Sequence, residues 1–273
     1  MKRIINWDVD PVLIKITETL PIGYYNILFA SGLMAGYLVV KKMFVKENIN
    51  LEKLEILSFY IFIGTVLGAR LGHCLFYDFS YFSQHPLEIL LPIKKIGNTY
   101  QYIGFRGLAS HGGAIGVLLS IFIFSKKHKI DLLWILDRVA IATPLTGAFI
   151  RIGNLMNSEI YGKPTNGNWG FVFERDDLIP RHPTQIYEAL AYLIIFGILF
   201  KLYKNKNLMN KKGLIFGVFL VLLFSARFVI EFFKENQVGF ENSMIINMGQ
   251  VLSIPFMLIG LFLIIRANKL KYI

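Results

Sequence analysis

Residues 213–233 read G-L-I-F-G-V-F-L-V-L-L-F-S-A-R-F-V-I-E-F-F, a run with no charge before Arg227. A helix crossing a bilayer core needs about 20 predominantly apolar residues, and this run supplies them. Six further windows have a similar character: roughly 22–40, 54–76, 107–124, 131–150, 184–203 and 244–265. Apolar residues make up 55% of the 273, aromatics reach 15%, and mean hydropathy is +0.53. A soluble domain of this size would carry more charge and fewer unbroken apolar runs. The chain therefore reads as an all-α polytopic membrane protein with about seven transmembrane helices.

A net charge of +11 would suggest nucleic acid in a soluble protein, but its distribution here sets orientation and implies no nucleic-acid partner. The short connections 41–53, 125–130 and 204–212 are rich in lysine: Lys41, Lys42, Lys46 and Lys53, then Lys126, Lys127 and Lys129, then Lys204, Lys206, Lys211 and Lys212. Arg266, Lys269 and Lys271 continue the pattern at the C-terminal end. The other helix ends carry Lys2, Arg3, Lys15, Lys94, Lys95, Arg106, Lys163, Arg175, Arg181 and Lys234 over many more residues. Short, lysine-rich loops face the cytoplasm. The N-terminus is then outside and the C-terminus cytoplasmic, which demands an odd number of spans and supports seven.

The opening M-K-R-I-I-N-W-D-V-D-P has basic residues but no apolar stretch before Asp8 and Asp10, so no cleaved targeting segment is read. Val9, Val12, Leu13 and Ile16 recur at helical spacing, which leaves residues 9–19 as an interfacial helix or a frayed tail. A single cysteine, Cys74, excludes an internal disulfide and a multi-cysteine metal site, and its place among Leu and Phe suggests packing. The chain reads as one integral membrane domain, 1–273. Two connections on the outer side are long, at 77–106 and 151–183. The second holds N-G-N-W-G at 166–170, E-R-D-D at 174–177 and P-R-H-P at 180–183, with one strand expected over 168–174. Together they predict a small extracytoplasmic cap, with 151–183 inserted between helices four and five.

Arg70, Arg138, Arg151 and Arg227 lie inside apolar segments. A guanidinium at the centre of a membrane helix costs about 2.5–3.5 kcal/mol on the mildest scale, so such residues pair internally or meet an anion. The orientation brings Tyr24, Tyr25 and Asn26, Arg70 and His73, His111, Arg151 and Asn154, Arg227 and Glu231, and Asn247 and Gln250 to one outer level. Each admits a plainer reading. Arg227 and Glu231, spaced i, i+4, suit a buried structural pair as well as a site. Asp137 and Arg138 sit near an inner helix end and suit a structural role. His73 suits an interfacial contact, and Tyr24 and Tyr25 suit the aromatic belt.

His111 is followed by Gly112 and Gly113, with Gly116 one turn on. Glycines there let a backbone or a ligand approach closely, and helix packing accounts for them without the histidine. An imidazole titrating near pH 6.5 suits a general base. R-I-G-N-L-M-N-S-E-I-Y-G at 151–162 gathers a fixed cation, amide donors and an acid between glycines, which suits a phosphate ester bearing hydroxyls. No H-E-x-x-H, cysteine cluster, P-loop or G-x-S-x-G is present, and no metal or cofactor site is read. An arginine-lined outer site implies an anionic lipid or solute, handled by an enzyme or by an organic-anion or lipid transporter. A transport path needs polar residues through the full membrane depth, and only Asp137 and Arg138 supply an inner counterpart.

With these motifs assembled, the chain resembles the prolipoprotein diacylglyceryl transferases of bacterial inner membranes over nearly its whole length. Arg151, Gly153, Asn154, Asn157, Glu159 and Gly162 stand in the order of that family's pattern, although Gly147 is displaced from it. H-G-G at 111–113, G-A-R-L-G at 68–72, R-H-P-T-Q-I-Y-E at 181–188 and A-R-F-V-I-E-F at 226–232 support it. Ala109–Ser110 and Tyr24–Tyr25–Asn26 depart from the residues more usual there. The resemblance implies transfer of the sn-1,2-diacylglyceryl group from phosphatidylglycerol to the lipobox cysteine thiol at the signal peptide of a prolipoprotein, in lipoprotein biosynthesis, releasing glycerol phosphate. It implies a multi-pass protein of the cell inner membrane with its site toward the outer leaflet. His111, Arg151 and Arg227 would be catalytic. Tyr25, Arg70, Gly112, Gly113, Asn154, Asn157, Glu159, Gly162 and Glu231 would bind substrate or orient the groups that do.

Overall fold

The structure is a computed structural model that describes residues 3–17, 20–97, 99–102, 107–235 and 244–269. Lys2, Arg106 and Lys271 of the charge pattern, and residues 18 and 19 of the 9–19 segment, lie outside the described residues. In chain order the elements are β1 (Arg3–Trp7), β2 (Val12–Thr17), β3 (Leu20–Gly23), α1 (Tyr24–Lys46), α2 (Leu51–Phe76), α3 (Phe79–Gln84), α4 (Leu87–Leu90), β4 (Ile93–Ile96), β5 (Thr99–Tyr102) and α5 (Ser110–His128). Then follow α6 (Leu132–Met156), β6 (Trp169–Phe173), β7 (Pro180–Arg181), α7 (Thr184–Lys204), α8 (Lys206–Met209), α9 (Leu214–Ile230) with a 3₁₀ turn at Glu231–Phe233, and α10 (Met248–Lys269).

Among the described residues six helices are long and apolar enough to cross a membrane: α1, α2, α6, α7, α9 with its 3₁₀ turn, and α10. Their apolar side chains stay largely uncovered by protein; Phe59, Phe62 and Phe262 are 63%, 62% and 64% exposed. Water would penalise such faces, whereas lipid does not. The chain is an all-α polytopic membrane protein. Helix α5 occupies the remaining window, with 19 residues opening on Ser110, His111 and two glycines.

The chain forms two compact units, Met1–Met43 with Leu136–Ile273, and Phe44–Ile135. In the first, α1 lies on α6. The Thr146 hydroxyl donates to Gly32 O at 2.9 Å, and a Cβ on Gly32 would come within 2.8 Å of Phe149 Cβ. Small residues thereby let two backbones touch. Helices α9 and α10 meet the same way, since a Cβ on Gly217 would stand 2.8 Å from Gly260 O. Asp137 explains itself here. Its carboxylate accepts from Gly213 N and Phe216 N, both at 2.8 Å, capping the first turn of α9 from a neighbouring helix. Arg138 Nη1 stands 3.9 Å from the same carboxylate. The structural reading of this pair is the one the geometry supplies.

Within the 9–19 stretch, residues 12–17 correct an expectation: they form neither an interfacial helix nor a frayed tail. Val12–Thr17 pairs antiparallel with Leu20–Gly23. The residues V-L-I-K-I-T are rich in β-branched side chains, which favour a pleated strand over a helix. Residues 169–173 form the expected strand, but within a three-stranded sheet ordered β1-β6-β7. Strand β1 runs parallel to β6, from Arg3 opposite Trp169 to Trp7 opposite Phe173. The Trp7 indole donates to Leu155 O at 3.0 Å, which fastens this sheet to the last turn of α6.

In the second unit α2 and α5 pack through glycine. A Cβ on Gly68 would stand 2.8 Å from Gly116 Cα, and one on Gly72 would stand 2.7 Å from Gly112 Cα. Gly64, Gly68 and Gly72 on α2 thus face Gly112 and Gly116 on α5. The hairpin β4–β5 turns at Gly97, whose φ of +62° suits a tight loop.

Candidate active site

At one end of the first unit, α1, α7 and α10 begin where α6 and α9 finish. These five helix ends carry a continuous ladder of alternating charge. Arg151 Nε lies 2.9 Å from Glu188 Oε2, as an ion pair and not an aligned hydrogen bond. Glu188 Oε1 accepts from Lys234 Nζ at 2.9 Å. Lys234 Nζ lies 3.7 Å from Glu231 Oε1, and Glu231 Oε1 lies 3.6 Å from Arg227 Nε. Glu188, Lys234 and Glu231 are 2%, 7% and 6% exposed, so none survives here unpaired. Three cations alternate with two carboxylates, and the ladder keeps a net positive charge.

The two arginines at its ends are the open members. The Arg227 side chain is 37% exposed, and its buried Nε has no hydrogen-bond partner among the described residues. Arg151 is 22% exposed at the side chain and donates from Nη1 to Asn154 Oδ1 at 3.1 Å. Tyr192, one turn along α7 from Glu188, hydrogen bonds with Arg151 and has Glu188 and Arg227 among its charged neighbours. A part-exposed guanidinium is a receptor for phosphate or carboxylate oxygens.

A second chain of polar contacts leads from Arg151 outward. Asn154 Nδ2 donates to Glu159 Oε2 at 3.2 Å, and Asn157 Nδ2 donates to Glu159 Oε1 at 3.1 Å. Helix α6 ends at Met156, and the backbone then turns through Ser158 and Ile160, both left-handed with φ of +57° and +58°. A β-branched residue at such a φ is strained and persists only where its surroundings impose it. Thr184 Oγ1 donates to Ile160 O at 2.9 Å, and Gln185 Nε2 donates to Glu159 O at 2.7 Å. The first turn of α7 therefore holds this bend in place. Gly162 follows it: its N–H donates to His182 O at 2.8 Å, and a Cβ there would overlap Phe233 O. Tyr25 lies against Gly153, where a Cβ would stand 2.8 Å from its ring, and Glu159 and Arg151 are its charged neighbours.

The structure thus brings Tyr25, Arg151, Asn154, Asn157, Glu159, Gly162, Arg227 and Glu231 together. Asn247 and Gln250 take a helix-starting role: Gln250 N donates to Asn247 Oδ1 at 2.9 Å, and Asn247 N donates to Gln250 Oε1 at 3.0 Å. This is a capping box at the start of α10. Asn247 Nδ2 also donates to Glu231 Oε2 at 3.2 Å.

Sheet β1-β6-β7 sits beside the bend. Arg181 donates from Nε to Asp177 Oδ2 at 2.9 Å and from Nη1 to Glu235 Oε1 at 2.5 Å, over the Tyr161 ring. Its hydrogen bonds hold the Asp177 carboxyl below the ordinary carboxylate range, while Asp177 raises the Arg181 pKa.

The remaining candidates belong to the second unit. His111 stands exposed on the first turn of α5, with no hydrogen bond to its ring among the described residues. Gly112 packs backbone to backbone on α2, while a Cβ on Gly113 would meet Ala69 Cβ at an ordinary 3.5 Å. Arg70 is 7% exposed; it donates from Nε to Ile89 O at 3.0 Å, from Nη1 to Gly107 O at 3.4 Å, and from Nη2 to Glu88 O. Those contacts pin α4 and Gly107 to α2, and the guanidinium stacks 4.7 Å from the Phe82 ring. Nearby, Tyr81 Oη donates to Glu88 Oε2 at 2.7 Å, which pushes the Tyr81 pKa up to about 12.

A family model described as prolipoprotein diacylglyceryl transferase matches residues 11–266. The chain belongs to this family. A phosphatidylglycerol–prolipoprotein diacylglyceryl transferase of Bacteroides fragilis is 47% identical over 268 residues, covering 98% of this chain and 96% of its own. The same-named protein of Tolumonas auensis is 46% identical over 266 residues, covering 97% and 98%. That of Rickettsia felis is 36% identical over 268 residues, covering 96% and 98%. Glu188, Tyr192 and Lys234 join the site without having been picked out as site residues from sequence. Glu188 and Tyr192 form an i, i+4 polar pair on an otherwise apolar helix. Lys234 follows Glu231 by three residues, a spacing that puts them on one face.

Proposed function

We propose that this chain transfers the diacylglyceryl group of phosphatidylglycerol to the thiol of a prolipoprotein cysteine. The bond between the diacylglyceryl carbon and its phosphate oxygen breaks as a carbon–sulfur thioether bond forms. Glycerol phosphate leaves with the electron pair of the broken bond, and the thiol proton passes to a base. The observation that carries this reading is Arg227: a guanidinium 37% exposed at the side chain, at the end of a ladder whose other end is Arg151. Negative charge grows on the leaving phosphate, and fixed cations stabilise it without reorganising. Asn154 and Tyr25 bind phosphate or glycerol oxygens, with Asn157 and Glu159 holding Asn154 in register. Seven spans, an outward N-terminus and a site toward the outer leaflet of a bacterial inner membrane complete the proposal. Arginines crowded at one helix end give a transporter no path through the membrane.

The experiment is direct. The protein in detergent is incubated with phosphatidylglycerol and a synthetic lipobox peptide, and the peptide mass is followed. A diacylglyceryl adduct that disappears when the peptide cysteine becomes serine is the expected result. Folded protein that binds phosphatidylglycerol and yields no adduct overturns the proposal.

His111 is the proposed proton acceptor, since a thiol with a pKa of about 8.5 is only a few per cent thiolate at neutral pH. His111→Gln should slow transfer by about a hundredfold, measured as initial rate per folded enzyme. A rate within a few-fold of wild type in that variant would take the imidazole out of the proton transfer.

A further inference from the structure

We infer that Lys234 is a positioning residue that fixes the two site arginines relative to one another and leaves their cluster a net positive charge to receive an anion. The inference rests on the transferase reading above. Lys234 is the central member of the ladder. Its ammonium reaches Glu188 Oε1 at 2.9 Å and Glu231 Oε1 at 3.7 Å, and each carboxylate carries one arginine. One side chain thereby touches the partners of both guanidiniums.

Its backbone is held as tightly as its head. Lys234 bridges Gly162 across an isolated antiparallel contact, and Lys163 N donates to Phe233 O at 2.7 Å. A Cβ at 162 would overlap Phe233 O, so only glycine admits this approach. The bend that carries Asn157 and Glu159 is therefore clamped to the residue that spaces the arginines.

The charge count gives Lys234 its second task. Without it, Arg151–Glu188 and Arg227–Glu231 would be two closed, neutral ion pairs. With it, each carboxylate is shared between two cations, and the cluster retains one positive charge for a phosphodiester monoanion. The leaving phosphate gains a second negative charge as the carbon–oxygen bond breaks, so the benefit grows toward the transition state.

The test compares wild type, Lys234→Met and Lys234→Arg, purified in detergent, with phosphatidylglycerol and lipobox peptide as substrates. In Lys234→Met, kcat per folded enzyme should fall about thirtyfold or more, while KM for phosphatidylglycerol rises by less than about threefold. Lys234→Arg should recover kcat to within about fivefold of wild type, because a guanidinium spans the same two carboxylates. A residue that served stability alone would lower the yield of folded protein and leave kcat and KM of the survivors unchanged. That outcome, or a loss that arginine does not restore, overturns the inference. If Lys234→Met does not insert, Lys234→Gln against Lys234→Arg makes the same comparison, since the amide keeps hydrogen bonds but not charge. A wild type that forms no adduct would sink the transferase reading; an active wild type indifferent to residue 234 would sink only the positioning role.

Discussion

Arg227→Ala is expected to insert into membranes at wild-type levels and to lose transfer by about a hundredfold to a thousandfold. The reasoning combines exposure with partnership. Arg227 meets one carboxylate at 3.6 Å and leaves its Nε without a hydrogen bond among the described residues. Removing it frees Glu231, but Glu231 keeps Lys234 at 3.7 Å and the Asn247 amide at 3.2 Å. The fold therefore retains its local pairing, whereas the reaction loses the cation that meets developing phosphate charge. Arg151→Ala is a poorer probe of the same idea, because it strips Glu188, Asn154 and Tyr192 of a shared partner. The measurement is initial rate per folded enzyme, with insertion checked by membrane-fraction yield. Turnover within a few-fold of wild type would remove Arg227 from the mechanism.

The long membrane helices α1, α2, α6, α7, α9 and α10 were legible because each is a long apolar run, and length separates such runs from buried soluble helices. The 151–162 stretch was legible for a different reason: polar side chains placed beside glycines at a membrane exit have few structural uses. Glu188 was harder to see. Its neighbours Tyr187, Ala189 and Leu190 belong to an ordinary membrane helix, and nothing local reveals that Arg151 and Lys234, 37 and 46 residues away, converge on it. Lys234 looked like one more positive charge near a helix end, and its burial is a tertiary fact. The N-terminal segment misled in another way. Val9, Val12, Leu13 and Ile16 satisfy a helical period, yet Val12–Thr17 satisfies an alternating one, and β-branching decided between them. Periodicity over a short apolar stretch does not by itself choose an element.

Gly116→Ile should give the largest loss of stability of any single change in α5, about 2–3 kcal/mol or more. Even its first added atom would overlap Gly64 O and approach Gly68 Cα to 3.0 Å. Both are backbone atoms, so no rotamer change relieves the clash and the two helices must part. Parting them opens the contacts at Gly68 and Gly72 as well, because Gly112 lies one turn away on the same face. Thermal unfolding in detergent, followed by loss of monodisperse protein, should show a clear drop in midpoint. Gly113→Ala is the control, since its Cβ meets Ala69 Cβ at 3.5 Å and has room. Its midpoint should stay near wild type. The pair then separates two meanings of glycine beside His111. If Gly116→Ile unfolds the protein while Gly113→Ala keeps stability and loses transfer, Gly113 serves the substrate and Gly116 serves packing. If Gly116→Ile is as stable as wild type, the close contact of α2 and α5 is not what holds them together.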